Sequence, residues 1–183
     1  MRRDFMPKEV LPDSWQAQLA VAPRDRRSLT CPDIILREQQ MTTSTAEAVW
    51  EGGLKAGTGE FSAGSGAFSG NYNFPTRFES APGTNPEELI AAAHAACLSM
   101  ALAGAIEAAG KAPTRIRTSA ACTIEKVDGG FKITKMKLTV RGTVPGMDQS
   151  AFRTAAETAK GGCPVSRALE GNVAVELDAR LDS

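Results

Sequence analysis

Aromatic side chains are scarce in this chain of 183 residues: Phe, Trp and Tyr together make up 5%, with one Tyr. Single-stranded nucleic acid is gripped by aromatic stacking platforms, so that class of partner is not expected. An excess of either charge is also lacking. Lys and Arg number 21, Asp and Glu number 21, and the formal net charge is zero. Nothing electrostatic therefore draws the chain to nucleic acid or to an anionic membrane. Histidine occurs once, as His94, and no two cysteines stand in C-x-x-C spacing. The strongest zinc signatures are thus missing. No uninterrupted apolar run approaches the ~20 residues of a membrane helix. Arg2-Arg3-Asp4-Phe5-Met6 has the look of a twin-arginine export signal, but Lys8, Glu9, Asp13 and Gln16 break the apolar stretch that should follow. The expected setting is the cytoplasm, where thiols stay reduced. There, four cysteines are more often buried, metal-binding or catalytic than structural disulfides.

The length favours one domain and suffices for a sizeable core. Residues 1–40 read differently from the rest. Pro7, Pro12, Pro23 and Pro32 fall among charges without helical or strand period. Such a stretch buries little apolar area and is expected to be a poorly ordered extension, either an upstream appendage before Met41 or a regulatory tail containing Cys31. The folded domain is expected over 41–183.

Within that domain, Ala46 to Gly52 and Gly57 to Ser62 read as strands. Gly64 to Tyr72 reads as loop or short edge strand, and Thr76 to Glu79 as a short extended piece after Pro75. Thr84-Asn85-Pro86-Glu87-Glu88 is a helix start: a capping side chain, Pro at the first helical position, and two carboxylates at the positive end of the dipole. The helix should run to Ala109, about 37 Å long, with Gly110 as its stop. Its middle, Leu89 to Ile106, carries no charged residue. A helix apolar all round is normally buried all round, and a partner subunit is the natural cover. Arg115 to Val127 and Phe131 to Thr143 flank Asp128-Gly129-Gly130, a hairpin signal. Asp148 to Lys160 reads as a helix ended by Gly161-Gly162, Cys163-Pro164 opens a short one through Leu169, and Asn172 to Leu181 closes as a strand. This order predicts an α+β fold with antiparallel pairing.

Four residues could carry chemistry. Cys97 lies deep in the long helix and is either a small buried hydrophobe or a reactive thiol. Cys163 occupies the N-cap of the Pro164 helix, where a thiolate is favoured. Arg77 is either a surface charge or the permanent cation that a reactive thiol needs. Glu87 either complements the helix dipole or fixes the fork of that arginine. Cys122, in mid-strand, reads as packed, and Cys31 as incidental. His94 sits three residues before Cys97 on nearly the same helix face. A zinc site of His94, Cys97 and Cys163 would lack a clear fourth ligand.

Together, Asn73-Phe74-Pro75-Thr76-Arg77-Phe78-Glu79, Gly83 to Cys97 with its His94-Ala95-Ala96-Cys97 ending, and Gly161-Gly162-Cys163-Pro164-Val165-Ser166 resemble the OsmC/Ohr family of organic hydroperoxide resistance proteins, closer to its OsmC branch. The resemblance runs from about Ala46 to Leu181. It implies an intertwined homodimer whose long helices are wrapped by antiparallel sheets. It also implies peroxidase activity without metal or flavin, with organic hydroperoxides preferred over hydrogen peroxide. In such proteins the cysteine matching Cys97 attacks the peroxide and the one matching Cys163 resolves. The arginine matching Arg77 stabilises the thiolate, and the glutamate matching Glu87 holds that arginine. The reductant is typically a lipoyl-bearing protein. Since Glu87 and Cys97 lie about 15 Å apart along one helix, an arginine touching both should take its carboxylate from the partner chain. The rival readings are a non-enzymatic thiol redox sensor or binding protein of the same fold, a metal-binding structural protein, and a catalytically silent small-molecule binder.

Overall fold

The computed structural model describes residues 42–182; the N-terminal extension expected at 1–40, with Cys31, lies outside the described residues. The first sheet is built from β1 (Ala46–Glu51), β2 (Thr58–Ala63) and β3 (Ser69–Asn73), paired antiparallel in chain order. A short helix α1 (Phe74–Phe78) leads to the long helix α2 (Pro86–Ala108). Then come β4 (Arg115–Val127), β5 (Gly130–Thr143), α3 (Gln149–Gly162), α4 (Pro164–Leu169) and β6 (Ala174–Leu181). The second sheet has the order β4-β5-β6. The α+β expectation holds, and the three pairings of consecutive strands, β1–β2, β2–β3 and β4–β5, are antiparallel. β6, by contrast, joins β5 in parallel. The cause is the connection: α3 and α4 form a helical crossover, which returns the chain to the sheet in the same direction.

The stretch expected to be extended, Thr76 to Glu79, is instead helical through Phe78. Asn73 Oδ1 accepts from the Thr76 amide at 2.9 Å, and Thr76 Oγ1 accepts from the Asn73 amide at 3.0 Å. This reciprocal cap supplies the local hydrogen bonds that let five residues form a helix, and Pro75 is tolerated in its first turn.

α2 begins and ends where its sequence signals stand. Asn85 Oδ1 accepts from the Glu88 amide at 2.9 Å, and Gly110 takes the left-handed conformation at φ 72°. With 23 residues it has the length and apolarity of a membrane span, which the expectation of no such run did not anticipate. One stripe of it is buried in protein: Glu87, Ala91, His94, Leu98, Leu102 and Ile106, spaced by three and four residues. Leu98, Leu102 and Ile106 meet Met136, Leu138 and Val140 of β5 and Phe152, Ala156 and Ala159 of α3 in the core. The opposite side is open, with Met100 78% exposed.

The Phe152 ring lies so close over β5 that a Cβ on Gly142 would collide with it. Because Phe152 is fully buried among close-packed neighbours, it cannot swing aside. Gly142→Ala should therefore cost about 1–3 kcal/mol of stability, an overpacking penalty. Urea unfolding should show it as a lower midpoint at unchanged slope.

Candidate active site

The site residues fall into two pairs on α2 and its neighbours. The first pair is made where α2 meets α4. Cys163 stands between two helices: its amide donates to the Ala159 carbonyl at 2.8 Å, closing α3, and its carbonyl accepts from the Arg167 amide at 3.0 Å, opening α4. Pro164 forbids a continuous helix through this point and suits the first turn of the next. The resulting elbow aims the Cys163 sulfur at α2, where it lies 2.8 Å from the Cys97 sulfur. Both are free thiols. Cys163 is fully buried, whereas Cys97 is half-buried.

The two sulfurs are in contact, and their surroundings divide them. Burial pushes the Cys97 thiol up; the hydrogen bond and charge of Cys163 push the same way, and the Val165 amide opposes. Burial also acts to raise Cys163, but it is outweighed by the hydrogen bond with Cys97 and by the groups of Ser166 and Val165, so the net direction is down. Within a single chain, Cys163 is therefore the thiol that ionises more readily.

The second pair lies at the start of α2. Asn85, besides capping α2, donates from Nδ2 to the Thr76 carbonyl at 3.1 Å, tying α1 to α2. Arg77, in the last turn of α1, is thereby brought to Glu87. Its Nη2 donates to Oε1 at 2.7 Å and its Nε lies 3.2 Å from both carboxylate oxygens. The guanidinium also rests over the Phe78 ring, 5.1 Å from its centroid, and Phe131 from the β4–β5 hairpin backs Phe78 at 4.7 Å. Glu87 is 6% exposed. The carboxylate that holds Arg77 comes from its own chain. Among the described residues no hydrogen bond or ion pair links Arg77 or Glu87 to Cys97 or Cys163.

A pocket of about 380 Å³ opens beside this pair, lined by Arg77, Asn85, Glu87, Ala91, Cys122 and Ile124 among others. Cys122, expected to be a packed strand residue, borders it; burial first and then Glu87 push its thiol up, which keeps it protonated and unreactive. A larger groove of about 570 Å³ between α3 and β6 carries no thiol. Sequence reading also passed over Ser166, whose Oγ lies 2.8 Å from Nε2 of the buried His94. Its only sequence signal is its place three residues after Cys163. The zinc alternative meets a His94 nitrogen already engaged by Ser166. Among the described residues no group of three His, Cys, Asp or Glu is placed to hold a metal ion.

The structure thus holds two thiols in contact at a helix elbow, beside a long apolar helix packed on a sheet. Residues 79–178 match the family model described as OsmC-like protein. Peroxiredoxin OsmC of Escherichia coli (strain K12) is 49% identical over 138 residues, which cover 75% of this chain and 95% of that protein. The organic hydroperoxide resistance protein of Xanthomonas axonopodis pv. citri (strain 306) is 38% identical over 96 residues, 52% of this chain and 66% of that protein. Among solved structures, the organic hydroperoxide resistance protein OhrB of Bacillus subtilis superposes with a TM-score of 0.58 at 27% identity, covering 74% of this chain and 98% of that one. The chain belongs to the OsmC-like protein family.

The contact between the two sulfurs has a measurable consequence. In a chain whose other cysteines are replaced by Ser, thiolate absorbance should rise in two separate steps, because the first charge opposes the second. The first step should fall below the ordinary thiol value and the second above it. One step at the ordinary value with twice the amplitude would mean that the sulfurs do not interact.

Proposed function

We propose that this chain is a cysteine-based peroxidase that reduces organic hydroperoxides to alcohols and, less well, hydrogen peroxide to water. The observation that carries this is the contact of two free thiols at 2.8 Å; the names of the relatives support it. Cys97 is the attacking thiol because it is the one a hydroperoxide can reach. The fully buried Cys163 cannot meet a bulky substrate, even though its charge is better stabilised. The Cys97 thiolate attacks the terminal peroxide oxygen, an S–O bond forms, the O–O bond breaks, and the alkoxide leaves as alcohol on taking a proton. The Cys163 thiolate then attacks the Cys97 sulfur, an S–S bond forms, and hydroxide leaves as water with a second proton. An external dithiol, in our reading a lipoyl-bearing protein, returns both thiols by exchange. Free thiols suit a reducing, cytoplasmic setting.

For Cys97 to attack, its own thiol must ionise against the upward push of burial, and a fixed cation nearby would favour this. Arg77 is tied to Glu87 some three helical turns from Cys97 of its own chain. In a homodimer the cation at each Cys97 would be the partner subunit's Arg77, delivered together with the glutamate that holds it. Two features favour such a dimer. The β1–β3 sheet meets the rest of its chain chiefly through α1, leaving Val49 and Phe68 exposed. The apolar α2 is likewise uncovered on the Met100 side. Exposed apolar area on both suits a sheet that wraps the helix of a second copy.

The roles separate in single variants, assayed with cumene hydroperoxide and dihydrolipoamide. Cys97→Ser should abolish consumption. Cys163→Ser should reduce one equivalent quickly, then accumulate a sulfenic acid that dimedone traps and that over-oxidises to sulfinic acid. If Cys163→Ser loses the fast turnover while Cys97→Ser keeps it, the roles are reversed. If the disulfide forms without turnover, the chain is a sensor.

The shared site makes its own prediction. Mixed Arg77→Ala and Cys97→Ser chains should recover about a quarter of the wild-type rate after random reassortment, because half of the dimers then hold one intact site of two. No recovery above the parent variants would place Arg77 and Cys97 of one chain in the same site.

A further inference from the structure

We propose that Phe131, near the tip of the β4–β5 hairpin, is a positioning residue for Arg77: its ring holds the Phe78 ring in place, and the Phe78 ring supports the Arg77 guanidinium. This rests on the reading of Arg77 as the cation that favours the Cys97 thiolate. Phe131 was assigned no part in the chemistry above.

The placement of Phe131 begins with the ribbon that carries it. The register of β4 on β5 shifts between Thr123 and Ile124. A bulge of this kind bends a ribbon and re-aims the side chains beyond it. Past the bulge, every residue from Glu125 to Lys132 is exposed, so the tip is an arm that leaves the core. The Thr134 hydroxyl donates to the Glu125 carboxylate and braces the arm from one strand to the other. Within it, Ile124 pairs with Ile133, and Lys126 with Phe131. Residues two apart on a strand share a face, so Phe131 stands on the face of Ile133 and Ile124. Ile124 borders the pocket beside Arg77, and Ile133 packs against the core. One step further along the same face, the Phe131 ring meets the Phe78 ring of α1, with centroids 4.7 Å apart.

Helix α1 has five residues and depends on its neighbours for its place. Two of its anchors come from α2: Asn85 at the Thr76 carbonyl and Glu87 at the guanidinium. On the Phe78 side, Phe74 belongs to α1 itself, 4.8 Å away, whereas Phe131 comes from a different sheet. The Arg77 side chain is 37% exposed. Water weakens an ion pair that open, and a long side chain has much freedom to lose. The Phe78 ring, 5.1 Å from the guanidinium carbon, limits that freedom by lying against the planar group. It can do so only while the ring itself is held. Phe131, 58% exposed, adds little to the core; what it contributes is this contact. Without it Arg77 keeps its carboxylate and loses its fixed aim. The attack of Cys97 should suffer, and the later attack of Cys163 should not.

The experiment has two arms, each on the full-length chain. The first uses no hydroperoxide and follows the Arg77 Nε–H resonance by NMR, assigned through its loss in Arg77→Lys. Phe131→Ala should speed the exchange of that proton with water about fivefold, in line with the worth of an aromatic pair and a cation–ring contact. Phe131→Tyr, which keeps the ring, should restore the wild-type exchange. Lys126→Ala, across the ribbon from Phe131, should leave it unchanged. In the second arm, rapid quenching after one equivalent of peroxide should show sulfenic acid formation slowed about fivefold in Phe131→Ala, with cumene hydroperoxide and with hydrogen peroxide alike. Disulfide formation should change by less than about twofold, and so should either step when Phe131→Ala is added to Arg77→Ala, because coupled residues do not add. Unchanged exchange in Phe131→Ala would overturn the proposal. A loss confined to cumene hydroperoxide would do the same, since the ring would then be touching the organic tail. So would a full loss that persists without Arg77, or an equal loss in Lys126→Ala. A chain whose Arg77 resonance behaves as expected yet consumes no peroxide would remove the peroxidase reading and leave the positioning of Arg77 standing.

Discussion

The site depends on one helix, α2, which carries Glu87, His94 and Cys97. Glu87, Ala91, His94, Leu98, Leu102 and Ile106 face the protein at intervals of three and four residues, because that interval brings a helix back to the same side. The far end of the stripe is core, closed by Phe152 and the β5 side chains. The near end is chemistry. The two share a rigid rod, so the packing that orients Leu98 and Leu102 also sets where Cys97 meets Cys163. The charge at Glu87 tolerates burial because Arg77 offers it two nitrogens at once.

Access and acidity point to different sulfurs, and the two can be reconciled. Acidity describes which thiol of one chain ionises more readily, and there Cys163 is favoured. Access describes which sulfur a substrate can touch, and only Cys97 is open. With the sulfurs in contact, a change in the local field bears on both thiols at once. A site of this kind can hold its nucleophile protonated and quiet until a cation is supplied.

The sequence was most readable where a signal is local. Asn85-Pro86-Glu87-Glu88 marks a helix start through its own side chains, and Cys163-Pro164 marks a break in the same way. Of the four expected site residues, Glu87 and Cys163 stand in such marked positions, whereas Cys97, in mid-helix, and Arg77 stood out only through the family resemblance. What could not be read depends on distant parts of the chain. Helix α1 is too short to show a period and rests on the Asn73–Thr76 exchange. The parallel seating of β6 is set by the crossover, not by its residues. His94 and Ser166 are 72 positions apart and meet only once α4 folds back on α2. The Arg77–Glu87 contact was foreseen, since a carboxylate is the partner that fixes the fork of an arginine.

The elbow at Cys163 bears on whether oxidation leaves a trace in the molecule's outline. Closing a bond between sulfurs already 2.8 Å apart brings them to about 2.05 Å, a travel smaller than an ordinary side-chain adjustment. Neither α3 nor α4 has to unwind or swing for that. On this reading the oxidised and reduced proteins would present almost the same surface to the rest of the cell. A partner could tell them apart only by reacting with the sulfurs, not by recognising a shape, so a messenger built this way would be nearly silent, whereas a catalyst would lose no time to rearrangement between turnovers.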